Sequence, residues 1–239
     1  MTNSLLSVLL FALFPVAAAV AGAVIAVFRP PRPIMRGYIQ HLAAGVVFSV
    51  VAVELLPDIT SYSGAYVEVT VGFLLGVGSM LTLKSVSHKL EGRDSDFPTG
   101  LLVGVGVDIL LDGFLVAISF AAGVEEGILL TIALTCELLS LGLAVAVELG
   151  QVEKDRWKVL LITSLLFLII VVGAGLGSVL IQYISEAILE VILSFGLAAL
   201  LYLVTEELLV EAHKEPETPI ATGMFFVGFL VFLLLGMIE

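Results

Sequence analysis

Charge is scarce in this chain, and cysteine is nearly absent. Of the 239 residues only 13% are charged and 60% are hydrophobic, with a mean hydropathy of +1.18. No soluble globular class has that composition. Basic residues are the rarer sign, ten Lys and Arg against 22 Asp and Glu, for a net charge of −12. That balance argues against a nucleic-acid partner, because phosphate backbones are held through lysine and arginine. Cys136 is the single cysteine, so an intramolecular disulfide is excluded and the redox compartment cannot be read from cysteine usage. Long polar stretches are also missing, which leaves no room for a soluble domain. The expected class is therefore all-α: a polytopic protein of the lipid bilayer, with residues 1–239 forming one transmembrane domain.

Hydropathy and polar punctuation divide the chain into eight spans: Leu5 to Phe28, Tyr38 to Leu56, Val67 to Leu83, Leu101 to Ala122, Gly127 to Leu149, Val159 to Ile181, Ala187 to Val210, and Ile220 to Ile238. The first lacks the positive flank of a signal peptide and exceeds the length of its apolar region, so it is read as a retained span. The basic residues follow odd-numbered spans: Arg29, Arg32 and Arg36; Lys84, Lys89 and Arg93; Lys154, Arg156 and Lys158; Lys214. All ten fall on one side, while the opposite connections carry Asp58, Glu125, Glu126 and Glu186. The positive-inside rule then places both termini outside the cytoplasm. The linkers are short. Arg29 to Pro33, with three prolines, is a rigid corner, and Glu91 to Pro98 is a polar loop. Glycine within spans, as at Gly72, Gly76, Gly78, Gly173, Gly175 and Gly177, suits close helix packing but is also simply common in membrane helices.

Against this apolar background, Asp108 and Asp112 lie well inside the fourth span. Their spacing puts them one turn apart on one helix face. An aspartate at the centre of a membrane helix costs about 2.5–3.5 kcal/mol on insertion scales, so an uncompensated pair is not expected. Either the pair stays protonated or bonds to a neighbouring helix, or it binds a cation. Span five adds Thr135, Cys136, Glu137 and Ser140. Spans four and five are joined only around Val124 to Glu126, so they run antiparallel side by side, and Asp112 and Glu137 are each roughly 18 Å from the turn at about 1.5 Å per residue. Three carboxylates converging from two helices make a divalent-cation site.

Two further acidic clusters end their spans. One is Glu54-Leu55-Leu56-Pro57-Asp58 on span two; the other is Glu206, Glu207, Glu211 and His213 on span seven. Acids near helix ends are ordinarily solvated, but Glu206 and Glu207 lie deeper and are candidates for a cation path.

Together these features resemble the ZIP family of divalent-metal transporters over all eight spans. Asp108-Ile109-Leu110-Leu111-Asp112-Gly113 stands where the family has an HNxPEG-like motif. Glu207-Leu208-Leu209-Val210-Glu211-Ala212-His213 looks like HE(I/L)(I/L)PE followed by histidine, with Glu206 in the histidine's place, and Thr222-Gly223 through Gly228-Phe229 is similar to the last-span GFxxM pattern. No single motif is intact; the order and the topology carry the likeness. The resemblance implies outside termini, a cell-membrane location, commonly a homodimer, and spans one, four, five and six moving against two, three, seven and eight. It also implies a second metal position, whose places hold Ile109 and Ile170 here and so look lost. In span five two registers remain: Glu137 as the ligand, or Cys136 and Ser140.

The expectation is a secondary transporter, not an enzyme, carrying a divalent cation as substrate on Asp108, Asp112 and Glu137, with Cys136 and Ser140 close by. Zinc is the family default; an all-oxygen set suits manganese, iron(II), magnesium or calcium. Three acids crowded away from water should share protons when empty and release them as the metal binds, so uptake should weaken as pH falls. The rivals are a metal-binding sensor that does not transport, and an intramembrane hydrolase using the two aspartates as acid and base.

Overall fold

The computed structural model describes residues 2–61, 64–91, 98–214, 216 and 218–237. Every regular element among them is helical, and eight helical stretches are long and apolar enough to cross a bilayer: Leu5–Phe28, Pro33–Val53, Tyr66–Ser87, Thr99–Ala122, Val124–Val152, Arg156–Tyr183, Ala187–His213 and Pro219–Gly236. These are the eight expected spans with their ends moved by a few residues. The loop at 92–97, the positions Ser63 and Ser95, and the last residue of span eight lie outside the described residues, as do the side chains of Glu54 and Asp58.

Local chemistry accounts for where helices begin. Pro33 and Pro219 each occupy the first turn, where a missing N–H costs nothing. The Thr218 hydroxyl accepts the Ala221 N–H at 3.1 Å, and the Asp155 carboxylate accepts the Trp157 N–H at 3.0 Å. Spans four and five are separated by Gly123 alone, in an extended conformation (φ −173°), which forces them to run antiparallel.

The principal packing partners are span one with five, two with eight, three with seven, and four with six. Glycines set how closely they meet. A Cβ on Gly113 would stand 2.0 Å from the Ile170 carbonyl oxygen, and one on Gly173 would stand 2.1 Å from that of Leu110. Gly22 with Gly142, and Gly45 with Gly228, form the same reciprocal arrangement between spans one and five and spans two and eight. These glycines are required by backbone contact, as in small-residue membrane interfaces. Gly78 has open space around it and is a merely tolerated one.

The pairing scheme has an internal order. Exchanging span one with six, two with seven, three with eight and four with five turns each pairing into another pairing of the set. Exchanged spans run in opposite directions, which is the pairing pattern of an inverted repeat of spans one to three and six to eight around spans four and five.

Besides a 3-10 turn at Ile181–Tyr183 that ends span six, three departures from α geometry inside the described spans were not expected from hydropathy. Val51–Leu55 in span two and Leu203–Leu208 in span seven are π-helical, and span six breaks at Leu168 between helices Arg156–Phe167 and Ile169–Leu180. The two π segments fall on spans that the exchange interconverts. Single π turns inside α-helices are often found at functional sites.

Candidate metal centre

The first two ligand-type residues are placed by helix periodicity. Asp108 and Asp112 are both buried on the face of span four that looks into the bundle. Glu137 comes from span five, brought to the same depth by the Gly123 turn, and is completely buried. One oxygen from each of the three carboxylates lies within 4.8 Å of the others. Asp108 Oδ2, Asp112 Oδ2 and both oxygens of Glu137 are buried without a hydrogen-bond partner. Each such orphaned group costs about 1–3 kcal/mol or more. Four in one place are hard to reconcile with a structural role and suit a group of oxygens that takes a hard cation.

A cavity of about 470 Å³ runs from the end of the bundle that carries the basic residues down to Asp108 and Glu137. Ser87, Pro98 and Glu148 line its outer part, and Ser140, Glu206 and Glu207 line its walls. On the other side of the acids lies packed hydrocarbon. Leu115, Val116 and Ile118 of span four and Leu129, Leu130 and Leu134 of span five are buried there in one apolar cluster with Val47, Val50 and Val51 of span two.

The remaining expected site residues separate clearly. Ser140 is buried and faces the cavity. Cys136 is half-buried, packs against the apolar cluster and stays outside the carboxylate group. Glu206 and Glu207 are also outside that group and stand on the cavity wall. Glu206 accepts a hydrogen bond from Lys84 Nζ at 2.8 Å, and the same ammonium sits 5.9 Å from the centre of the Tyr202 ring. Ile109 and Ile170 are fully buried in a second apolar cluster with Val105, Leu138 and Phe167, so hydrocarbon fills the region where the resemblance expects another metal position.

No family model and no curated protein matches the chain. The carboxylate group and the cavity therefore stand on their own geometry. Sequence reasoning missed Lys84, read only as a marker of sidedness, together with Gln40 and Tyr202, which also line the cavity. A lone amide in an apolar span was the available signal for Gln40; nothing local pointed to Tyr202.

Proposed function

We propose that this chain is a secondary transporter that moves a divalent metal ion toward the cytoplasm, zinc or another transition ion such as iron or manganese, and that it is a divergent relative of the ZIP transporters. The observation that carries the reading is the meeting of Asp108, Asp112 and Glu137, buried with unpartnered oxygens, where Asp108 and Glu137 line the floor of a cavity. The positive-inside rule makes that cavity face the cytoplasm. The described conformation is then inward-open: the ion reaches the acids from one side while the apolar cluster around Leu115, Leu134 and Val50 seals the other. Transport requires a second conformation with the seal and the cavity exchanged. An ion arriving at the acids exchanges with the protons that neutralise them in its absence, which couples metal and proton movement.

The deciding experiment compares the parent with Asp112→Asn in proteoliposomes, measuring metal uptake and, on the purified protein, bound metal by elemental analysis. The variant keeps the side-chain volume and removes a buried charge, so it should fold at least as well. Its metal affinity should drop at least about tenfold, since even outer-shell changes cost 10–100-fold, and uptake should fall with it. Bound metal without uptake in the parent would identify a sensor, and undiminished uptake in Asp112→Asn would remove the site.

A further inference from the structure

The ends of spans one and five and the start of span six enclose a second cavity, of about 300 Å³, apart from the one that reaches the acids. Ala26 and Val27 of span one and Ala146 and Val147 of span five give it an apolar wall, and the exposed Lys154 and Arg156 line it as well. Neither cation has a carboxylate partner among the described residues. Lys154 Nζ donates to the Gln151 carbonyl at 3.0 Å, which uses one of its three N–H groups, and the Arg156 guanidinium lies 6.0 Å from the centre of the Phe28 ring. Glu153 also lines the cavity but is already engaged: Oε1 accepts the Asp155 N–H at 2.9 Å, and Oε2 stands 3.5 Å from Lys158 Nζ.

Trp157 marks the level at which these cations stand. It is the chain's single tryptophan, 72% exposed, and its ring meets Phe28 edge-on at 6.2 Å. Exposed tryptophan at the end of a membrane helix sits among lipid headgroups, with its apolar body toward the chains. Toward the bilayer centre, Leu161 and Leu165 continue the same face of span six and are exposed, as are Val24 and Ile25 one turn from Phe28 on span one. Spans one and six pack side by side here, so their apolar faces flank one groove. A phosphate free in water gains nothing from that groove, whereas a lipid phosphate brings chains that cover it.

We propose that this cavity binds an anionic phospholipid, with its phosphate held by Lys154 and Arg156 and its acyl chains along the exposed faces of spans one and six. The guanidinium offers paired N–H groups to two phosphate oxygens, and the ammonium adds a point charge. A headgroup of net negative charge is selected because two cations face it while the charge of Glu153 is offset by Lys158. A lipid held there bridges spans one, five and six at the end of the bundle that carries the basic residues. The site lies apart from the carboxylate group and does not depend on the transport reading.

The test uses the full-length protein in vesicles of phosphatidylcholine and phosphatidylglycerol, with bromine on the acyl chains of one lipid at a time. Bromine quenches tryptophan fluorescence, and Trp157 is the sole reporter in the chain. At equal bromine content, brominated phosphatidylglycerol should quench more than brominated phosphatidylcholine, by a preference of at least about fivefold, the contribution of one cation near a membrane surface. That preference should fall about fivefold in Lys154→Gln and in Arg156→Gln. It should persist in Lys89→Gln, which removes an exposed charge elsewhere on the same side. The two lipids are compared within each variant, so any movement of Trp157 on loss of Arg156 cancels, and Lys154→Gln leaves the stacked rings alone. Millimolar inorganic phosphate, set against chloride at equal ionic strength, should leave the preference in place. Equal quenching by the two lipids, an undiminished preference in either cavity variant, the same loss in Lys89→Gln, or abolition by inorganic phosphate, the mark of a site for free anions, would each overturn the proposal.

Discussion

Neighbouring residues on one helix turn have opposite fates in span five. Glu137 is enclosed with the two aspartates, while Cys136, about 100° away around the helix, packs into the apolar cluster. Geometry thus gathers Glu137, and not Cys136, with the two aspartates. It also removes the one soft ligand from the carboxylate group, which leaves an oxygen set. Cys136→Ala should therefore change metal affinity and uptake by no more than the roughly 0.5 kcal/mol typical of substitutions away from special features, as measured by metal titration and transport assays. A loss comparable to that of Asp112→Asn would place the thiol among the ligands. The aspartates were legible in the sequence because a four-residue spacing inside an apolar run has few readings, and Glu137 followed from counting back from a short turn. The Lys84–Glu206 contact was not legible, because it joins spans three and seven and no local pattern encodes it. Both partners are about half exposed, so the pair itself adds little stability.

At the level of elements, hydropathy located all eight spans but could not see how they meet. Apolar length is a property of composition, whereas the reciprocal glycine contacts depend on which faces touch. Among the tightest of these is Gly113, directly after Asp112, against the Ile170 carbonyl. Backbone, not a flexible side chain, stands in the way, so Gly113→Ala must push spans four and six apart. The expected cost is about 1–3 kcal/mol, read as a lower melting temperature in detergent, with weakened metal binding because Asp112 moves with the backbone. Gly78→Ala, facing open space, should leave both unchanged. The π segments escaped for a related reason: one extra residue in a turn alters the hydrogen-bonding pattern without altering the hydropathy of the stretch. In span seven that segment carries Glu206 and Glu207, and relaxing it to an α-helix would rotate the following residues by about 100° and shift them by about 1.5 Å. Glu211 and His213 would turn with it.

For the molecule as a whole, sidedness is the property to test. With Cys136 replaced by alanine, a cysteine at Ala144, which lines the cavity, should react with a water-soluble thiol reagent applied from the cytoplasmic side. A cysteine at Ala133, inside the apolar seal, should stay unreactive from both sides in this conformation. One at Glu125 should be labelled only from outside, and one at Lys154 only from the cytoplasm. Labelling of Glu125 and Lys154 positions from a common side would break the eight-span threading. The sequence sorts its ten basic residues onto one side, and the labelling pattern is what tests the orientation this predicts.

The exchange that maps the helix pairings onto one another bears on energy as well as shape. If spans one to three adopt the arrangement that six to eight hold here, and the reverse, the same kinds of backbone-to-glycine contact are made and the same number of apolar faces is covered. Two such states would share one scheme of helix pairings and differ in free energy through the side chains and glycines by which the two halves differ. On the proposed transport function, opening first on one face of a membrane and then on the other needs a small free-energy gap, and helix pairings that exchange in this way favour one. The gap is then open to being tipped by a few local differences, such as the extra cation at Lys84 on one half.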